Sequence, residues 1–162
     1  MSEQKTSTLS ESYTEMTELL LPNDTNILGR ALGGVVLHWM DICGAIAAGR
    51  FANERVVTAS MDNVDFISPI DLGEIAVIEA YVFRTGRTSM DVRVEVHAEN
   101  PRTDEHRETT TSFLTFVAID ANGRPTPVPD LVCETDAEQT LRETAREERR
   151  NHLEAIAARL ED

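Results

Sequence analysis

The chain has 162 residues, 41% of them hydrophobic, enough to fill the core of one domain. Its 29 acidic and 15 basic residues give a formal net charge of -14, with Lys5 the only lysine; that balance excludes nucleic acid as an expected partner and resembles the surfaces of proteins from salt-loving organisms. Two cysteines, Cys43 and Cys133, make no disulfide framework, and the longest apolar run is too short and too interrupted to predict a membrane span, so a cytoplasmic protein with no membrane partner is expected.

Residues 1 to 21 are polar, lack the apolar stretch of a signal peptide, and end in Leu19-Leu20-Leu21-Pro22, which predicts a weakly alternating opening strand. Pro22-Asn23-Asp24-Thr25 reads as a turn. Gly29, Gly33 and Gly34 then punctuate the approach to a helix expected from about Gly34 to Asn53. Between Gly34 and Ala48 its apolar residues leave no polar face, so it is predicted to be buried on all sides. Only His38 and Asp41 break the pattern. A carboxylate in such a place needs pairing, hydrogen bonds or water.

Strands follow. The first is expected from Val56 to Ile67, closed by the Ser68 to Gly73 turn, and the second from Glu74 to Arg84. After a hairpin turn at Arg84-Thr85-Gly86-Arg87, the third alternates Met90, Val92, Val94 and Val96 against Asp91, Arg93, Glu95 and His97, predicting one face in water. The fourth, Glu108 to Asp120, places Phe113, Thr115, Val117 and Ile119 on one side, and Pro125, Pro127 and Pro129 end it. Asp136 to Leu160 spaces Leu141, Ala145, Leu153, Ile156 and Leu160 as an amphipathic surface helix whose stripe a neighbouring subunit would cover. The expected architecture is α+β: a curled antiparallel sheet wrapped around one long central helix over residues 1–135, with a helical extension at 136–162. Open sheet edges predict a dimer joined edge to edge.

Four features have the residue types for chemistry. The Gly33-Gly34 helix N-terminus offers backbone N–H groups without intrahelical partners, able to polarise a carbonyl and hold an oxyanion. Asp41 is suited to activate water or attack the carbonyl itself, and Asn26 to orient that water. The Gly86-Arg87-Thr88-Ser89 turn carries a cation and two hydroxyls. Gly33 and Asp41 lie roughly 12 Å apart along one helix at about 1.5 Å per residue. One chain does not readily bring both to one carbonyl, so two composite sites per dimer are expected, each pairing Asp41 of one chain with Asn26 and Gly33 of the other.

Taken together, Pro22-x-Asp24-Thr25-Asn26-x-x-Gly29, Gly33-Gly34, Trp39-Met40-Asp41, Val56-Val57-Thr58, Asp65-Phe66-x-x-Pro69, Gly73, Gly86-Arg87-Thr88-Ser89-Met90 and Phe116-Val117-Ala118-Ile119-Asp120 resemble the hotdog-fold acyl-CoA thioesterases of the YciA and brain acyl-CoA hydrolase group. The resemblance implies hydrolysis of acyl-CoA to free acid and CoA without metal or organic cofactor. It also implies dimers, commonly assembled as hexamers, and Asn26 and Asp41 as the functional pair. It places Gly86, Arg87, Thr88 and Ser89 near the CoA moiety, where Arg87 suits phosphate. Leu32 stands where family members usually carry Phe. The alternatives are a non-catalytic acyl-CoA-binding sensor and a hydratase of the same fold using His38, although His38 reads better as a packed or interface residue. The four histidines and two cysteines show no zinc-ligand spacing.

Overall fold

The computed structural model describes residues 4–161. In chain order its elements are β1 (Thr6–Thr8), α1 (Leu9–Ser12), β2 (Thr14–Leu19), a 3-10 turn (Pro22–Asp24), α2 (Gly33–Ala52), β3 (Arg55–Met61), β4 (Ile75–Thr85), β5 (Ser89–Asn100), β6 (Glu105–Ile119), β7 (Asp130–Val132) and α3 (Asp136–Glu161). Five strands form one antiparallel sheet in the order β2-β4-β5-β6-β3, and β1 pairs with β7 in a small parallel ribbon. The sheet curls around α2, so the α+β class and the central helix stand as expected.

α2 seats Val36, Trp39, Met40, Cys43, Ala47 and Phe51 against the inner residues of β4, β5 and β6. Gly44 permits the closest approach: a Cβ there would lie 3.0 Å from the Phe116 ring. Asn53, left-handed at φ 54, ends the helix by donating its N–H to Gly49 O. The helix is long and apolar enough to cross a membrane by composition, yet here it is the core of a curled sheet. It is not buried on all sides. Ile42 and Ile46 are 37% and 39% exposed, His38 is exposed, and Asp41, Ala45 and Gly49 are half-buried. The sequence cannot distinguish this open apolar stripe from a core face, because both are apolar.

Two strands differ from expectation. β3 ends at Met61 rather than Ile67; beyond it the chain stays tied to β6 by two backbone bonds, Asp62 N to Phe113 O and Ile67 N to Thr109 O, and by side chains, the Thr110 hydroxyl donating to Asp65 O at 2.8 Å and that of Ser112 to Asp62 O at 3.2 Å. The polar face of β5 is not in water, because α3 lies across it. Arg93 donates to Glu148 and Glu95, and Arg149 to Asp91 and Asp62.

On the same outer face Ala145 is packed among Leu9, Tyr81, Phe83 and Phe113. The tail is thus a helix packed by one face on its own chain's sheet, and at its far end the apolar Leu153 and Leu160 are left exposed. A reciprocal cap fixes its start. Glu138 N donates to Thr135 Oγ1, while Glu138 Oε1 accepts from the Thr135 N–H and Oε2 accepts from Ser10 N. Those backbone donors, Ser10 first, hold the Glu138 carboxyl below its ordinary range.

Candidate active site

Asn26 folds a tight loop around itself. Its Oδ1 accepts from Leu28 N at 2.9 Å and Arg30 N at 3.2 Å, while Gly29, at φ 73, donates its N–H to Asn26 O. The side-chain oxygen is therefore consumed by the loop. The Asn26 amide NH2 has no acceptor among the described residues and remains available as a donor.

The loop delivers the chain to α2, whose N-cap Leu32 offers no side-chain oxygen. The Gly33 and Gly34 N–H groups accordingly have no acceptor among the described residues, and both glycines are exposed. Asn26 and Gly33 open on one cleft of about 340 Å³ whose other walls include Val36, Phe66, Ile70 and Thr109. The Phe66 ring stands 3.5 Å from where a Gly33 Cβ would be.

A buried ion pair secures the far wall. Glu74, 4% exposed, accepts from Arg107 Nη2 at 2.6 Å and Nη1 at 3.0 Å, and from Asp71 N at 2.7 Å, while Arg107 also donates to Pro69 O. The Arg107 hydrogen bonds, helped by the Asp71 N–H, hold the Glu74 carboxyl below its ordinary value of 4.5.

Asp41 lies elsewhere. Its Oδ1 accepts a 2.7 Å hydrogen bond from the hydroxyl of Thr58 on β3. Thr58 neighbours Phe116 on β6, which neighbours Met90 at the start of β5, so the Gly86–Ser89 turn shares this end of the sheet. That turn is closed by Gly86 N donating to Ser89 O, and a Gly86 Cβ would meet Ser89 Oγ at 2.7 Å. Arg87 O and Thr88 O are fixed by the N–H groups of Val128 and Ala118. The Arg87 side chain is exposed, with no carboxylate in ion-pair range among the described residues.

One chain therefore holds two separate constellations. Asn26 and Gly33 share the cleft at the Thr109 end of β6, with Gly34 next to it in the chain, while Asp41, Thr58 and the Gly86–Ser89 turn gather about Phe116, roughly 20 Å further along that strand. Asn26 and Asp41 are not brought together within the chain.

A profile of the thioesterase superfamily matches residues 28–105. An uncharacterised acyl-CoA thioester hydrolase of Bacillus subtilis, YkhA, is 41% identical over 153 residues, 91% of this chain and 89% of its own. The chain belongs to the acyl-CoA thioester hydrolase family. Among solved structures, an apo-hexameric acyl-CoA thioesterase is 44% identical with a TM-score of 0.83, covering 94% of this chain and 98% of that one. The acyl-CoA hydrolase of Staphylococcus aureus, in complex with butyryl-CoA, CoA and CoA disulfide, is 34% identical with a TM-score of 0.78, covering 96% and 98%. Variants of that hydrolase replace one Asn, one Asp and one Thr by alanine, and the three are spaced along its chain as Asn26, Asp41 and Thr58 are here.

Thr58 is the residue that sequence reasoning passed over. A threonine on a strand has ordinary reasons to be there, and the one available signal was its place in the Val56-Val57-Thr58 motif. Other reactive groups lie apart from both constellations or are inert. Burial pushes the Cys43 thiol up to about 12. Glu79, Glu95 and His97 could hold a metal by spacing, but they sit on the outer face of the sheet, where Glu95 already serves Arg93 and His97.

Proposed function

We propose that the protein hydrolyses acyl-CoA thioesters to free acid and CoA in sites shared by two subunits of a homodimer. Asp41 of one subunit faces the partner subunit's Asn26 and Gly33 across a two-fold axis. Two unfilled surfaces support this reading: the open stripe of α2 with Ile42 and Ile46, and the free edge of β3, where Val57 is 46% exposed. Pairing β3 edges continues the sheet and covers both. The hexameric relative supports assembly of three such dimers.

In this scheme the Asp41 carboxylate takes a proton from water as it attacks the thioester carbon, or attacks that carbon itself to give an anhydride that water then hydrolyses to the free acid. The Asn26 NH2 donates to the water or the carbonyl oxygen, and the Gly33 or Gly34 N–H receives the developing oxyanion. Collapse expels the CoA thiolate, which takes up a proton. Gly86, Arg87, Thr88 and Ser89 hold the CoA end, with Arg87 on phosphate. No step requires a metal or organic cofactor. Two unpaired cysteines fit a cytoplasmic setting, and residues 136–162 act as an extension bracing a catalytic domain of residues 1–135.

The observation that carries the reading is the separation itself: a carboxylate anchored at one end of the sheet and two donors without acceptors among the described residues, the Asn26 NH2 and the Gly33 N–H, in a cleft toward the other. Thiol release from a panel of acyl-CoAs tests it. Asp41→Ala and Asn26→Ala are each expected to abolish turnover while leaving CoA binding largely intact. A mixed dimer of the two variants should regain activity, since one of its sites keeps both residues. Retained turnover in a folded Asp41→Ala dimer would overturn the scheme.

A further inference from the structure

The Asn26–Gly33 cleft is lined in part by a polar group without a partner among the described residues. Thr109 is 1% exposed, and its hydroxyl has no hydrogen-bond partner among them. It occupies a bulge in β6: Val96 pairs with Thr110 and His97 with Glu108, leaving Thr109 out of register with β5. Bulges of this kind re-aim a side chain, and they are frequent beside active sites. The hydroxyls nearby are all used, with Ser68 donating to Glu108 O at 2.7 Å and Thr110 to Asp65 O at 2.8 Å. Thr109 O itself accepts from Ile67 N at 2.9 Å. Only its hydroxyl is left over, on a floor otherwise made apolar by Val36 and Ile70, 2% and 1% exposed.

An unpaired buried hydroxyl is tolerated where a ligand or water completes it. With the thioester at the mouth, beside Asn26 and Gly33, the acyl chain enters this cleft. A plain alkyl chain displaces any water and leaves Thr109 unpaired. An acyl group with an oxygen on its β-carbon supplies the missing partner, since a threonine hydroxyl can donate to a β-oxo oxygen or accept from a β-hydroxyl. We propose that Thr109, at the base of the Asn26–Gly33 cleft, selects β-hydroxyacyl or β-oxoacyl thioesters over saturated ones of equal length. This deepens the hydrolase reading and rests on it.

The test compares thiol release from butyryl-CoA, both enantiomers of 3-hydroxybutyryl-CoA, and acetoacetyl-CoA. In the wild-type protein kcat/KM is expected to favour at least one oxygenated substrate over butyryl-CoA by about 10-fold or more. Thr109→Val, which keeps the shape and removes the hydroxyl, should erase that ratio, whereas Thr109→Ser should keep it. The unfolding midpoint of Thr109→Val should not fall, because no hydrogen bond is lost. Comparing ratios between variants cancels the differing intrinsic reactivity of the substrates. Equal rates in the wild type, or a ratio unchanged in Thr109→Val, would overturn the inference while leaving the hydrolase reading standing; no thiol release from any of the four overturns the inference, and none from longer acyl-CoAs as well would remove both.

Discussion

The Thr58 hydroxyl donates to Asp41 Oδ1 across 2.7 Å, tying the lone carboxylate of the central helix to the edge strand beside it. Asp41 is only half-buried, so without this bond its side chain is free to turn toward solvent. The bond engages Oδ1 alone, so under the proposed scheme Oδ2 is the oxygen left to meet water.

If Asp41 acts as proposed, Thr58 positions it, and its removal should reduce kcat rather than binding. Hydrogen bonds to charged groups contribute about 1.5–3 kcal/mol, which converts to roughly 10- to 100-fold in rate. Thr58→Val is expected to lower kcat by that factor with KM for acyl-CoA little changed, and Thr58→Ser to restore most of it. Steady-state kinetics on the three proteins check this. A rise in KM with kcat intact would show that Thr58 contacts substrate instead.

Asn26 holds its loop through Oδ1, while the proposed scheme uses its NH2, and one substitution separates the two. Asn26→Asp retains an oxygen to accept from Leu28 N and Arg30 N, so the loop should hold and thermal stability should stay within about 0.5 kcal/mol of wild type. It removes the NH2 donor and sets a negative charge beside the developing oxyanion. Turnover is expected to fall by about 100-fold or more, the range seen when one oxyanion donor is lost. A calorimetric scan beside the rate assay distinguishes a lost donor from a collapsed loop.

The alternation of β5, the apolar helix and the turn glycines were legible because each repeats a local pattern that physics ties to one geometry. The long-range contacts were not. Arg93 with Glu148 and Arg149 with Asp91 join residues 55 and 58 positions apart, and nothing local says that the charged face of β5 will meet the charged face of α3. The separation of Gly33 from Asp41 within one chain was legible for a simpler reason: a rise per residue converts their spacing into a distance that the chain does not close. Thr58 and Thr109 escaped notice because one hydroxyl on a strand looks like any other until its partner, or the lack of one, is seen.

The buried pair of Glu74 and Arg107 makes the cleft wall sensitive to acid. The folded Glu74 carboxyl lies below its ordinary value of 4.5, so its contribution to stability is fully present above about that pH and is lost as pH falls through the folded value. Glu74→Ala should destabilise the protein near neutrality by about 1–3 kcal/mol, because it removes the charged hydrogen bonds of a half-buried Arg107 that water can partly replace. Urea unfolding of wild type and Glu74→Ala across pH should show the gap narrowing below about 4.5. A gap that stays constant into acid would mean the wall is held by packing rather than by the charged pair.

Arg87 offers a test of where CoA lies. Its guanidinium is exposed, unpaired among the described residues, and carried on a turn whose backbone is fixed by Ala118 N, Val128 N and the Gly86–Ser89 bond. The arginine is thus displayed by a rigid support without structural work of its own, and Arg87→Ala should leave stability unchanged. In a chain of net charge -14, a polyanionic substrate meets an unfavourable field, and loss of one local cation should be felt in binding. KM for an acyl-CoA is expected to rise about 10-fold in dilute buffer, with kcat nearly constant, and less in high salt where the field is screened. The same acyl group on pantetheine, which lacks the phosphates, should show no difference between wild type and variant. Equal loss on both substrates would place Arg87 at the thioester or in the fold, and remove the Gly86–Ser89 turn from the CoA site.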